Sequence, residues 1–103
     1  MNIAQRKYLV HVSDHYRKRY RERIAKSSRI DMFATTAYYC GNSPVCIPDS
    51  RVRSYLESKE NEYGDSFVLR IYNGFVHVFN EADNIAVTVY KLPKYNNRSK
   101  AIC

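Results

Sequence analysis

Apolar and polar residues alternate through the last third of the chain. Phe67–Tyr72 (FVLRIY) and Phe75–Phe79 (FVHVF) are two such runs, separated only by Asn73 and Gly74. Asn-Gly between alternating runs marks a two-residue β-hairpin, because both residues tolerate positive φ. This turn pairs Tyr72 with Phe75, Ile71 with Val76, Arg70 with His77 and Leu69 with Val78. After Glu81–Asn84, the run Ile85–Tyr90 (IAVTVY) returns as a third strand. A four-residue loop sets Phe79 opposite Ala86, Val78 opposite Val87, His77 opposite Thr88 and Phe75 opposite Tyr90. Side chains alternate between faces along a strand. One face then collects Phe67, Leu69, Ile71, Val76, Val78, Ile85, Val87 and Val89 and reads as core. The other carries Val68, Phe79 and Ala86, the polar row Arg70–His77–Thr88, and the aromatic group Tyr72, Phe75 and Tyr90.

Before the strands the apolar spacing changes to a helical period. Lys7–Val12 reads as a short strand or an extended lead-in, and Ser13 as the N-cap of a helix reaching about Lys26. At about 100° per residue, Tyr16, Tyr20 and Ile24 form its apolar stripe. Arg19 and Arg23 flank the stripe, and Arg17, Lys18 and Arg21 point to solvent. Ser28 with Asp31 resembles a capping box, opening a second helix that buries Ile30, Phe33, Ala34 and Ala37 and stops at Gly41. Asp49 or Ser50 caps a third, with Val52, Tyr55 and Leu56 inward and Tyr63 and Gly64 at its end. Helices followed by strands predict an α+β fold, with N-terminal helices packed on one face of a C-terminal antiparallel sheet of three to four strands. Residues 1–103 form a single domain in this reading, and 93–103 a flexible basic tail.

Charge adds a partner class. The net charge is +7, and nine of the seventeen Lys and Arg residues fall between Arg6 and Arg29. Such a basic segment favours a polyanion, with RNA or another nucleic acid the leading partner. Arg17, Lys18, Arg21, Arg23 and Lys26 are the phosphate-contacting candidates, and Tyr72, Phe75 and Tyr90 offer rings on which bases stack. No apolar stretch has the length of a membrane span, which predicts a cytoplasmic protein. Cys40, Cys46 and Cys103 form no even set and no Cys-x-x-Cys pair, so neither a disulfide framework nor a structural zinc is expected. Cys40 and Cys46 read as small buried thiols, and His11 as structural. No metal or other cofactor is implied.

The polar row also carries candidate chemistry. Metal-independent RNA cleavage needs a base for the 2′-hydroxyl, an acid for the leaving oxygen and cations for the phosphorane. His15 and His77 have the titration range for acid–base work. Arg19 and Arg70 suit phosphate, and Thr88 and Tyr90 can donate hydrogen bonds. The plain alternatives are a solvated sheet face and a basic helix that serves only solubility.

With those residues in place, the chain resembles the small ribonuclease-toxin-like proteins of the barnase–EndoU–colicin–RelE type, in a bacterial and phage branch. The resemblance rests on His15–Arg23 (HYRKRYRER), which contains His-x-x-x-Arg, and on Ile85–Tyr90 (IAVTVY). It implies a metal-independent ribonuclease-like site between the first helix and the sheet, with His15, Arg19, Thr88 and Tyr90 carried over. It also implies a protein partner, an antitoxin or a host target. Two other readings stand beside it. One is a non-catalytic module binding nucleic acid or protein, such as a phage-encoded inhibitor of host defence. The other is an enzyme acting on a nucleotide second messenger. Convergence of His15, Arg19, Arg70, His77 and Thr88 into one patch is expected for catalysis, and their separation for a basic binder.

Overall fold

A two-residue strand and three helices precede the three longer strands of a four-stranded sheet in the computed structural model, which describes residues 9–93. In chain order they are β1 (His11–Val12), α1 (Asp14–Arg23), α2 (Ile30–Cys40), a short 3-10 turn at Pro44–Cys46, α3 (Ser50–Tyr63), β2 (Phe67–Tyr72), β3 (Phe75–Asn80) and β4 (Ile85–Lys91). The fold is α+β, as the order of periodicities predicts. The early strand shrinks to His11–Val12 and runs parallel to β4, so the sheet is mixed, with order β1-β4-β3-β2. Lys7, Tyr8 and the expected basic tail beyond Pro93 lie outside the described residues. Among the described residues, no helix is long and apolar enough to cross a membrane.

Local signals set most of the helix ends. The Ser13 side chain accepts from the Tyr16 backbone N–H at 2.9 Å and caps α1. That helix ends at Arg23 rather than Lys26. The Asp49 carboxylate caps α3 by accepting from the backbone of Arg51 and Val52. The expected capping box at Ser28 does not form: Arg29 is the N-cap of α2, without a side-chain cap. At the other end of α2, Gly41 is required by space. A Cβ there would lie 2.4 Å from the Ala37 carbonyl and 3.1 Å from the Arg70 Cβ. This close approach lets Asn42 exchange backbone hydrogen bonds with Ile71 on the outer edge of β2.

The hairpin β2–β3 has the expected register throughout, with Asn73 and Gly74 at φ 52° and 80°. The hairpin β3–β4 begins as expected, with Phe79 opposite Ala86. A bulge follows: Val78 faces Thr88, His77 faces Val89 and Val76 faces Tyr90. A bulge sets two residues against one, and a one-residue shift exchanges the faces of everything beyond it. Thr88 and Tyr90 therefore move to the Leu69–Ile71–Val76–Val78 side, and Val89 moves to the His77 side.

The expectation that all helices share one face is corrected accordingly. Helices α1 and α2 cover the face expected to be open, where Tyr16, Tyr20, Ile30, Ala34 and Ala37 pack with Phe79, Ala86 and Val89. Val52 and Leu56 of α3 cover the opposite face, with Leu69, Ile71, Val76 and Val78. With both faces apolar, the sheet buries side chains on each side. Helix α1 also secures the outer edge of β4. The Ser13 hydroxyl donates to the carbonyl of Val87, the extra residue of the bulge, at 2.9 Å, and the Arg23 guanidinium donates to the Val89 carbonyl at 2.8 Å. Occupied carbonyls make that edge a poor template for another strand.

Candidate nucleic-acid interface

The expected catalytic row is only partly kept: Arg70 stays opposite His77, whereas Thr88 lies opposite Val78 on the other side. His77 is fully buried beneath α1 and α2, ringed by Tyr16, Phe33, Tyr72 and Phe79 with centroids 5.5–6.5 Å away. Its Nδ1 shares a 2.8 Å hydrogen bond with the Tyr16 hydroxyl. Among the described residues its Nε2 has no hydrogen-bond partner. Burial among these rings pushes the imidazole pKa down to about 4, because the charged form loses its hydration. The Tyr72 carbonyl opposes the shift in part without completing a hydrogen bond to Nε2. Burial also raises the Tyr16 phenol, so that pair is neutral near pH 7.

His15 lies exposed on α1, away from the buried His77. Arg19 is held by Glu22 at 2.7 Å, and that hydrogen bond lowers the Glu22 carboxyl. Arg70 reaches along the edge of β2. It donates to the Leu69 carbonyl at 2.9 Å, with its guanidinium 6.0 Å from the centre of the Tyr38 ring. Thr88 and Tyr90 sit across the sheet from His77. The Tyr90 hydroxyl is buried without a partner among the described residues, and burial, with Tyr55 and Tyr63 nearby, pushes its pKa up. Among the described residues, the two candidate histidines do not meet as an acid–base pair, since His77 is fully buried and His15 is exposed. Cys40 and Cys46 are exposed rather than buried, and His11 is an exposed residue of β1.

The basic residues and rings make a different surface. Between Arg17 and Arg29 the chain carries seven cations, with Glu22 the one acid in that stretch. Arg17 leans toward Asp31 of α2 at 3.5 Å, both partly exposed. Lys18, Arg21, Lys26 and Arg29 are exposed and form no ion pair among the described residues. The helical period explains this. Burying Tyr16 and Tyr20 against the sheet leaves Lys18 and Arg21 on the outer side of α1, while Arg19 and Arg23 flank the packed stripe.

Where α1 hands over to α2 the surface opens into a cleft of about 240 Å³, lined by Tyr20, Arg29, Met32, Phe33, Thr36 and Tyr72 among others. Tyr20 meets Phe33 edge-on at 5.1 Å, and Phe33 meets Tyr72 edge-on at 5.5 Å. Tyr72 therefore shares a lining with Arg29, the last cation of the basic segment. Its cross-strand neighbour Phe75 is half-buried and packs on the same side of the sheet. Phe33, Met32 and Arg29 were not expected to line a site. The helical period places Phe33 in the core, and Arg29 closes the charge run without any motif of its own. A larger cleft of about 420 Å³ lies beside Arg70, but Glu60 and Asp65 share its lining, and their carboxylates oppose an anion.

Comparison of the chain with protein-family models, with curated proteins and with solved structures returned no match.

Proposed function

We propose that the chain is a nucleic-acid-binding module acting through α1 and the α1–α2 link, without cleaving its target. The supporting observation is the exposed, unpaired set Lys18, Arg21, Lys26 and Arg29 within a segment of seven cations and one acid. Cations presented by α1 and the link that follows it contact phosphates and release counterions, which drives sequence-independent affinity. The ribonuclease reading requires a general acid and base at one phosphate. His77 is buried and neutral while His15 stands in solvent, so that geometry favours binding over turnover.

The test is fluorescence anisotropy with labelled RNA and DNA over a series of salt concentrations. Engagement of roughly five cations predicts a log–log salt slope of about −4, at about 0.7–0.9 per neutralised phosphate. Lys18→Glu combined with Arg21→Glu should weaken binding strongly and flatten that slope by about 2. The same RNA should remain intact after incubation in EDTA. Salt-insensitive binding, or binding indifferent to the double reversal, would refute the proposal. Recovery of 2′,3′-cyclic phosphate ends would return the ribonuclease reading to first place. Turnover of free cyclic or oligomeric nucleotides would favour the second-messenger enzyme instead.

A further inference from the structure

We propose that the nucleic acid is single-stranded, and that one of its bases stacks in the cleft formed by Phe33, Met32 and Tyr72. This rests on the nucleic-acid reading above and names the form of nucleic acid that the surface takes. Phosphate contacts alone do not tell a single strand from a duplex. A ring-lined cleft does, because bases within a duplex are already stacked on one another and present no free face.

Size, position and hydrogen-bonding capacity agree. At about 240 Å³ the cleft falls below the ~300–1,000 Å³ of pockets that enclose a drug-sized ligand. It therefore suits one planar ring rather than a whole nucleotide. Phe33 and Tyr72 pack on one side against His77 and the core, but both stay partly exposed and Met32 is 40% exposed, so the cleft still presents ring and thioether surface. Arg29 lies in the lining itself, and Lys26 immediately precedes Ser27, which also lines it. The cationic run therefore leads to the cleft mouth, where the phosphates flanking an inserted base would lie.

Two hydroxyls complete the lining. Ser27 Oγ accepts from the Arg29 backbone N–H at 2.9 Å and keeps its own proton to donate. Thr36 Oγ1 gives its proton to the Met32 carbonyl at 2.9 Å and can still accept. A base edge thus meets one donor and one acceptor, which anchors any of the bases without selecting strongly among them.

The experiment compares four probes of one sequence by anisotropy: a short single-stranded RNA, the matching single-stranded DNA, the duplex, and an abasic strand of equal charge. Both single strands should bind about tenfold or more tighter than the abasic strand and the duplex, as expected for loss of one stacked base. Tyr72→Ala and Met32→Ala should each reduce single-strand affinity and leave the salt slope unchanged. The Met32 substitution sits on an exposed helix position that the fold tolerates, and the abasic comparison needs no substitution at all. Equal affinity for all four probes would overturn this inference while leaving the basic-surface reading intact. So would variants that bind like the parent. Absence of salt-dependent binding to every probe would remove both.

Discussion

Acid should destabilise this protein through His77. The imidazole is fully buried with one unpartnered nitrogen, and its pKa falls from the ordinary 6.5 to about 4. The cause is desolvation; the groups around it are Tyr16 of α1, Phe33 of α2, and Tyr72 and Phe79 of the sheet. None of these four is charged, and Arg70, opposite His77 on β2, turns its guanidinium to the Leu69 carbonyl and the Tyr38 ring. In the unfolded chain the ring protonates near its ordinary value, whereas in the folded chain it stays neutral until about pH 4. The unfolded state thus binds more protons through this window, and stability falls as pH falls. The contribution is fully present above about pH 6.5 and lost by about pH 4. A gap of that size corresponds to roughly 3 kcal/mol at about 1.4 kcal/mol per unit. A small domain holds about 5–15 kcal/mol in total, so the loss should be readily measurable.

Urea unfolding followed by far-ultraviolet circular dichroism at pH 7, 6, 5 and 4 measures it, with His77→Leu as the comparison. The variant leaves the Tyr16 hydroxyl without its partner, an offset of about 1–3 kcal/mol at every pH. The parent should start more stable at pH 7 and lose that lead as the pH approaches 4. Carboxylates titrate in both proteins and cancel in the difference. Parallel stability profiles for parent and variant would refute the reasoning, because they would mean that the ring is hydrated in the folded state.

Ser13→Ala removes both the cap of α1 and the hydroxyl bound to the Val87 carbonyl; it should cost about 1–2 kcal/mol in urea unfolding. Gly41→Ala puts a Cβ 2.4 Å from the Ala37 carbonyl. A loss of about 1–3 kcal/mol, visible as a lower Tm, follows from such overpacking. His15→Ala should change nucleic-acid affinity less than twofold in anisotropy, since the histidine is exposed and holds no paired charge. A cleavage activity abolished by this substitution would instead make His15 catalytic.

Patterns that are local in the chain were legible without any structure. Ser13 and Asp49 declare helix starts, Gly41 and Gly64 mark helix ends, and Asn73 with Gly74 sets the β2–β3 register, because each acts through backbone conformation within a few residues. The stripe of Tyr16 and Tyr20 follows from helical periodicity, and the outward cations follow from the stripe. Tertiary structure decided the rest. Ile85, Val87 and Val89 alternate as though on one face, but a bulge leaves almost no mark on composition, and Val89 is equally apolar on either side. That single inserted residue sends Thr88 and Tyr90 across the sheet and leaves only Arg70 and His77 of the expected polar row side by side. His77 reads as solvent-facing because histidine is polar. Only the approach of α1, which brings Tyr16 to its Nδ1, and of α2, which brings Phe33 beside the ring, makes a neutral imidazole acceptable in the core. The basic charge was therefore a property of the chain, whereas the cleft beside it exists only because two helices and a hairpin end meet there.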